Sequence, residues 1–393
     1  MTERFLPYGR QHIDDDDVDA VGKALRSDLL TTGPLVAEFE AAFAGCTGAA
    51  HAVACNSGTA ALHLAALALD LKEGEAAVVP AITFLATANA VRMTGAEVVF
   101  ADVDAGTGLI TPETLEAARK RGEASSPVRA ALPVHLNGRL CDMEGLAAAA
   151  GGIALVEDAC HALGIEGVGA ARHSAAACFS THPVKAIATG EGGVVTTRDG
   201  RMAARMRQLR SHGMTHDAAR FENRDMAFDG ETPNPWHYEM PEIGWNYRMP
   251  DVLCALGISQ LKKLERFHRR RREIASLYAR LLAPLAPVIR PVSQPDEAHG
   301  WHLYVVHVDF SALGTTRARF MQALRDKGIG TQVHYIPLHW QPYYRRRYGE
   351  ISLPGAEAYY ERCLSIPLFP AMTDADVERV ALALTRIAKG NAA

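Results

Sequence analysis

One lysine stands in a loop of small residues between two apolar segments. In FSTHPVKAIATGEGGVVTT, residues 179–197, Lys185 follows Pro-Val and precedes a run rich in alanine, threonine and glycine. In an arbitrary loop a lysine extends its ammonium into water. In a partly desolvated site its pKa falls, and the neutral amine can attack a carbonyl group. Lys185 is therefore either a solvated cation or a nucleophile.

Two earlier segments carry polar groups that complement such a lysine. NSGTAAL, residues 56–62, places Ser-Gly-Thr between an apolar strand and a helix. Backbone amides at a helix start bind anions such as phosphate, although Ser and Thr are equally ordinary as N-caps. In IALVEDACHALG, residues 153–164, Asp158 follows another apolar strand. It serves either as a cap or turn former or as a fixed negative partner for a cationic ligand.

One set of roles uses all three places. A phosphate cradle, a carboxylate facing a ring nitrogen and a lysine that forms a Schiff base are together the requirements of pyridoxal 5'-phosphate (PLP). The sequence therefore predicts a PLP site built from the Ser-Gly-Thr turn, Asp158 and Lys185.

The elements that must position these residues alternate between strand and helix. Helices of roughly 10–15 residues between short apolar strands predict a mostly parallel sheet covered on both faces, an α/β fold. Ligands in such sheets lie beyond the carboxyl ends of the strands. The helix after Thr59 is apolar nearly all round and is predicted to be buried. The predicted strands are 50–56, 75–83, 97–104, 129–136, 153–159, 175–180 and 192–197.

The second half of the chain is predicted to form a smaller α+β unit. A long helix starting near Pro250, suited to a first helical turn, links the two parts. Strands are predicted at 302–310 and 330–335, and the closing helix starts after Thr373, with Asp376 as its capping partner. The predicted surface loop is 215–241, and the predicted domains are 1–249 (N-terminal arm and large domain), 250–286 (linking helix) and 287–393 (small domain).

Composition argues against several kinds of partner. A net charge of -4 and a pI near 6.5 predict no nucleic acid and no membrane as partner. The basic run at 268–272 is interpreted as a solvated helix face. We find no apolar run of about 18 residues and no secretory signal, and so expect a cytoplasmic protein. Seven cysteines without CxxC spacing and sixteen histidines without HExxH predict no metal site.

Five motifs in order carry a resemblance to a known family. The series N-S-G-T-A-A-L, T-F-x-A-T-A-N, E-D-A-x-H-A-L-G, F-S-x-H-P-x-K-x-x-x-T-G-E-G-G and G-x-N-Y-R-M resembles the DegT/DnrJ/EryC1/StrS sugar aminotransferases over nearly the whole chain. The resemblance implies fold type I of the PLP-dependent transferases, like aspartate aminotransferase. It also implies amination of keto sugars attached to nucleotides, with PLP cycling through pyridoxamine 5'-phosphate (PMP).

The resemblance implies roles position by position. Lys185 would hold the cofactor and move the proton, and Asp158 would keep the ring nitrogen protonated. Phe84 would stack on the ring, with ordinary core packing as the alternative. Because Asn246 matches an asparagine that reaches the phosphate of the neighbouring subunit, a homodimer with a shared active site is implied. The remaining implied cofactor contacts are Gly58, Thr59 and Ser180 at the phosphate and His161 near the phenolic oxygen.

The implied substrate contacts come from three segments. Arg248 would meet a nucleotide phosphate or the glutamate carboxylate, or else serve as a structural ion-pair partner. One departure from the family pattern is Thr181, where a bulky aromatic residue is more usual, and we expect it to reshape the cavity wall near the phosphate. The other implied substrate residues are Tyr8, Asp28, Leu29, Leu30, Thr31, Gln332, Val333, His334 and Tyr335.

Within the family, several segments are similar to the aminotransferases of pseudaminic acid biosynthesis. They include SDLLTTGP, RSHGMTHD and VHYIPLHWQPYY. The similarity implies L-glutamate as amino donor and a UDP-linked 4-keto-6-deoxy-N-acetyl hexose as acceptor. The alternatives are a GDP-perosamine or dTDP-amino sugar type of substrate, and a non-catalytic PLP-binding relative. Lys185 argues against the related 3-dehydratases, in which a histidine replaces the lysine.

Overall fold

The fold was analysed in a computed structural model that describes residues 4–295 and 298–390, so the outermost residues of the predicted arm and of the predicted small domain lie outside the described residues. The strands are β1 His51–Cys55, β2 Ala76–Pro80, β3 Glu97–Ala101, β4 Val128–Ala131, β5 Ala154–Asp158, β6 Ala176–Ser180, β7 Gly193–Thr197, β8 Phe228–Asp229, β9 Thr232–Pro233, β10 Ile289–Pro291, β11 Tyr304–Val308 and β12 Cys363–Ile366. The helices are α1 Asp15–Leu25, α2 Pro34–Thr47, α3 Gly58–Ala68, α4 Leu85–Met93, α5 Pro112–Glu123, α6 Met143–Ala149, α7 Gly200–Leu209, α8 Arg224–Ala227, α9 Asp251–Leu261, α10 Leu264–Leu282, α11 Arg317–Asp326, α12 Pro342–Tyr348, α13 Pro354–Arg362 and α14 Asp374–Ala388.

A seven-stranded sheet lies at the centre of the first half of the chain. Its order is β1-β7-β6-β5-β4-β2-β3. The neighbours from β6 to β3 pair in parallel, whereas β7 pairs antiparallel with both β1 and β6. Since β1 and β6 both oppose β7, they point the same way. The prediction of a mainly parallel α/β sheet is therefore confirmed.

Both faces of this sheet are covered, as the short apolar strands predict. In β1, Val53 and Cys55 belong to one apolar core, whereas Ala52 and Ala54 belong to the core on the opposite face. Successive side chains of a strand point to opposite faces, so a strand that is apolar at every position needs a layer on each side. Helix α3 supplies one such layer, and its residues from Ala60 to Ala66 are all buried.

Capping residues fix where several helices begin. Asp14 and Asp17 form a capping box at the start of α1, where three aspartates in the first turn also favour the positive end of the helix dipole. Thr373 and Asp376 form the predicted capping box of α14. At each end a side chain accepts from a backbone N–H that has no acceptor within the helix.

A three-stranded antiparallel sheet, β10-β11-β12, forms the centre of the second half. It packs with α10, α11 and α14 around an apolar core of its own. The predicted strand at 330–335 is wrong, because this stretch forms only one isolated bridge, from Gln332 to Ser365. The partner of β11 is β12 instead, a short buried strand between two helices that the apolar pattern did not reveal.

The predicted single helix from Pro250 to 286 is also corrected. The structure has α9 and α10, separated at residues 262–263, with Pro250 as the N-cap of α9. The chain turns there because each helix packs on a different neighbour: α9 packs on α1 and α2, and α10 packs on α14. The side chain of Lys263 at this turn is buried against the first turn of α1.

The predicted surface loop at 215–241 contains short regular elements. Helix α8 and the two-residue strands β8 and β9 lie within it. Several of its apolar side chains are exposed, including Trp236 and Met240. Across residues 4–295 and 298–390, helices that combine the length and apolar character needed to cross a bilayer are not found.

Candidate active site

Three strands end at one edge of the central sheet. Because β1, β5 and β6 point the same way, their carboxyl ends bring Ser57, Asp158 and Ser180 to that edge. A cavity of about 570 Å³ lies there, and Lys185 lines it together with these three residues. The positions singled out by the sequence therefore share one site, where ligands bind in sheets of this kind.

The Ser-Gly-Thr turn forms a narrow cradle at the start of α3. Ser57 is the N-cap, and its Oγ accepts the Ala60 N–H at 3.1 Å. The amides of Gly58 and Thr59 open the helix, where N–H groups lack an intrahelical acceptor and attract anions. A Cβ on Gly58 would lie 2.8 Å from the Cβ of Ser180, so only glycine permits this approach. N-cap and anion cradle are thus compatible roles of one turn.

The loop that carries Lys185 is closed at its base. The Thr189 N–H donates to the Thr181 carbonyl at 2.8 Å, and the hydroxyls of the two threonines lie 2.5 Å apart. Lys185 is half-buried on the cavity wall, and no ion pair of this lysine is found within the described residues. Burial lowers the pKa of Lys185 below its ordinary value, whereas Cys160 and Asp158 act in the opposite direction. The alternative of a solvated surface cation is therefore not supported by the position of Lys185.

Asp158 is a buried carboxylate without a cationic partner in the described part of the chain. It is 5% exposed at the end of β5. Its Oδ2 accepts the Thr87 hydroxyl at 2.7 Å, and its Oδ1 accepts the Cys160 N–H at 3.2 Å. A buried negative charge supported only by hydrogen bonds suits a cationic ligand group, because the ligand then supplies the missing positive charge.

His161 borders the cavity as a neutral ring of defined orientation. The Asn137 N–H donates to its Nδ1 at 3.2 Å, so the ring proton is assigned to Nε2. That Nε2 lies 3.4 Å from the Tyr335 hydroxyl. Burial, together with the nearby Lys185 and His334, holds the pKa of His161 well below its ordinary value. The ring therefore presents an N–H donor to the cavity at neutral pH.

Phe84 extends an aromatic ring at the cavity rim. Its side chain is 55% exposed, so the alternative of core packing is wrong. Its ring centroid lies 5.9 Å from that of Tyr335. The predicted site residues that line the cavity are Tyr8, Gly58, Thr59, Phe84, Asp158, His161, Ser180, Lys185, Gln332, Val333, His334 and Tyr335.

Other predicted site residues do not line the cavity of their own chain. Residues 28–31 are exposed, and this segment is tied to the start of α9 by the Asp251 N–H, which donates to the Leu30 carbonyl at 3.0 Å. Asn246 is exposed, and its carbonyl accepts from the Asn56 side chain. Arg248 forms no ion pair with any described residue of this chain, so the structural ion-pair role has no support.

The expectation for Thr181 is corrected. Its side chain is fully buried against Thr189, so Thr181 does not itself border the cavity. Conversely, Cys160, His182 and Glu191 line the cavity without having been predicted as site residues. All three are members of the motifs that hold Asp158 and Lys185, and that membership was the available signal.

These residues together fit a flat, phosphorylated aldehyde cofactor with a basic ring nitrogen. The cradle suits the phosphate, Asp158 the ring nitrogen, the His161 N–H an oxygen on the ring, and the Lys185 amine an aldehyde carbon. Within residues 4–295 and 298–390, no three His, Cys, Asp or Glu side chains lie together as a metal ion would require.

Comparison with known proteins identifies the class. Residues 11–385 match the DegT/DnrJ/EryC1/StrS aminotransferase family, and the chain belongs to that family. It is thus a sugar aminotransferase with the fold of type I PLP-dependent transferases. Enzymes of this family use PLP, which confirms the predicted cofactor and its cycling through PMP.

Individual relatives refine this comparison. The chain is 40% identical over 399 aligned positions to the spore coat polysaccharide biosynthesis protein SpsC of Bacillus subtilis strain 168, covering 98% of each chain. It is similar to PseC of Helicobacter pylori, an aminotransferase involved in the biosynthesis of pseudoaminic acid, with a TM-score of 0.86 and 26% identity over 98% of this chain and 100% of PseC. Spr1654 of Streptococcus pneumoniae, solved in a PMP-form, has a TM-score of 0.86 and 26% identity over 98% of this chain and 100% of Spr1654.

Proposed function

We propose that this chain transfers the amino group of L-glutamate to C4 of a UDP-linked 4-keto-6-deoxy-N-acetyl hexose, in the biosynthesis of pseudaminic acid. The observation that carries the proposal is the shared cavity of Lys185, Asp158 and the Gly58 cradle. The similarity to PseC over nearly the full length of both chains supports the choice of sugar.

The roles of the residues follow from their surroundings. When bound, PLP supplies an electron sink that stabilises negative charge on the carbon that loses its proton. Lys185 has a lowered pKa, so its amine is available to take a proton from one carbon and return it to another. Asp158 would hold a ring nitrogen in its protonated form, and the Gly58 and Thr59 amides would bind the phosphate.

The exposed predicted residues support a homodimer as part of this proposal. Asn246 and residues 28–31 face outward in the single chain, where a second copy can bring them to its own cavity. Complementation tests this arrangement. Lys185→Ala and Asn246→Ala proteins should each be nearly inactive, and mixing them under conditions of subunit exchange should restore activity. The shared site would be contradicted if the mixed variants stayed inactive and light scattering showed the protein to be monomeric.

A substrate panel tests the choice of sugar. The protein is incubated with glutamate and UDP-, GDP- and dTDP-linked 4-keto sugars, and the products are identified by mass. We expect the amino sugar from the UDP-linked N-acetyl hexose. Amination of only a GDP- or dTDP-linked sugar would overturn the substrate and leave the reaction class intact. The 40% identity to SpsC favours this second candidate, an aminotransferase for another nucleotide-linked keto sugar.

The absorbance of the purified protein tests the reaction class itself. Holoprotein should be yellow, and glutamate without acceptor should bleach the band. Borohydride treatment followed by peptide mapping should leave the cofactor mass on Lys185. A colourless protein that acquires no such band when PLP is added would favour a non-catalytic relative.

A further inference from the structure

The supports of Asp158 extend beyond the cavity. Thr87 on α4 is fully buried and does not line the cavity, yet its hydroxyl is 2.7 Å from Asp158 Oδ2. Thr83 is also buried, although it borders the cavity, and its hydroxyl lies 2.8 Å from that of Thr87. Three polar groups thus form a line that runs from the start of α4 to the carboxylate.

The direction of these hydrogen bonds is fixed by the carboxylate. An ionised carboxylate only accepts, so the single proton of the Thr87 hydroxyl goes to Asp158. The Thr87 oxygen is then free to accept, and the Thr83 hydroxyl donates to it. A directed chain of this kind strengthens its last bond, because each donor polarises the next.

The two oxygens of Asp158 accept from different donors. Oδ2 is engaged by Thr87 and Oδ1 by the Cys160 N–H at 3.2 Å, the longer of the two bonds. No Lys, Arg or His within the described residues forms an ion pair with this carboxylate. Its orientation therefore depends on neutral donors, of which Thr87 is the closest.

We propose that Thr87, supported by Thr83, is a positioning residue that orients the Asp158 carboxylate toward a protonated ring nitrogen. The inference rests on the proposed function. Thr87 acts only through Asp158, since it does not border the cavity. Its contribution is to hold a lone buried charge that the ligand completes.

Conservative variants test this role. Thr87→Val keeps the shape and removes the donor, and Thr87→Ser keeps the donor. Thr83→Val removes the hydroxyl that donates to Thr87. The matched control is Thr196→Val, because Thr196 is equally buried and donates to the Gly169 carbonyl at 2.7 Å, on a different element. Thermal unfolding of all four proteins shows how much stability each substitution removes.

The decisive readout is the protonation of the ring, not turnover. Each variant is loaded with PLP labelled with ¹⁵N in the ring, and the ¹⁵N chemical shift is recorded. We expect Thr87→Val to shift the signal toward the unprotonated value and to slow the bleaching by glutamate about tenfold, with little change in the glutamate concentration at half-saturation. Thr83→Val should slow it by about threefold, and Thr87→Ser and Thr196→Val should match the wild type.

The outcomes separate this inference from the proposed function. Wild-type protein that binds no PLP, or that glutamate does not bleach, contradicts the proposed function. A wild type that behaves as expected, with an unchanged ¹⁵N shift in Thr87→Val, overturns the positioning role. Equal effects of Thr87→Val and Thr196→Val overturn it as well. If Thr87→Val does not fold, Thr83→Val must still move the shift in the same direction, and no movement overturns the proposal.

Discussion

Two lysines of this chain lie among carboxylates and differ in their chemistry. Lys263, at the turn between α9 and α10, pairs with Asp14 and with Asp17, the latter at 2.9 Å. Burial acts to lower the pKa of Lys263, but the hydrogen bonds to the two aspartates outweigh it and raise the pKa above its ordinary value. Lys185 has no such pairs in the described part of the chain, and burial lowers its pKa.

The difference shows that solvent exposure alone does not make a lysine reactive. The side chain of Lys263 is only 9% exposed, whereas Lys185 is half-buried. Hydrogen bonds to ionised carboxylates stabilise the ammonium, and desolvation without such bonds favours the neutral amine. At the cavity the nearby carboxylate, Asp158, accepts hydrogen bonds from Thr87 and from a backbone amide, and within the described residues it forms no ion pair with the lysine.

The largest expected effect comes from removing the cavity lysine. Lys185→Ala should slow the glutamate half-reaction at least about 1,000-fold, because the proton carrier and the amine for the aldehyde are both lost. Stopped-flow absorbance measures the rate, and borohydride with peptide mapping measures the covalent attachment. Lys263→Arg is the control and should keep full activity. A cofactor tag on another lysine of the Lys185→Ala protein would contradict the assignment.

The next effect concerns the cavity carboxylate. Asp158→Asn keeps the shape and removes the charge, so the half-reaction should slow between about 100- and 1,000-fold. The affinity for the cofactor should fall by a smaller factor than the rate. The ratio of the two changes, from equilibrium dialysis and stopped-flow data, is the measurement. A variant that loses cofactor as strongly as it loses rate would mean that Asp158 mainly anchors the ligand.

The paired lysine should affect stability and leave chemistry intact. Lys263→Met leaves Asp17, which is fully buried, without its cation, and should lower the free energy of unfolding by about 3 kcal/mol. Urea denaturation measures this loss, and Lys263→Arg should recover most of it. The rate constant per folded molecule should match the wild type. Reduced rate with unchanged stability would reverse the contrast between the two lysines.

The smallest and most direct comparison uses pH. A lowered pKa means that the neutral fraction of Lys185 rises at lower pH than that of an ordinary lysine, whose pKa is 10.5, and a raised pKa has the opposite effect for Lys263. Apoprotein is treated with a small aldehyde and borohydride at pH values from 7 to 10, and each site is quantified by mass. Lys185 should react first and Lys263 last. Equal labelling of both would remove the basis of the comparison.

Much of the architecture was open to prediction because it depends on local periodicity. Short apolar strands between helices specify a sheet covered on both faces, and all seven strands of the central sheet were expected. The second half was less predictable: β12 was missed, and the stretch 330–335 forms only a bridge. Pairing of short segments there is decided by the packing of α10 and α14, which no local pattern records.

The sequence by itself determined the chemistry available to this protein. It placed Lys185, Asp158 and the Gly58 turn at strand ends, and parallel strands must bring such ends to one edge. Only the tertiary structure decided how those groups behave. The hydroxyl chain to Asp158 joins residues 71 positions apart, and the carboxylates that neutralise Lys263 lie more than 240 positions away. Ionisation depends on which groups meet in space, and that is a property of the fold and not of the spacing along the chain.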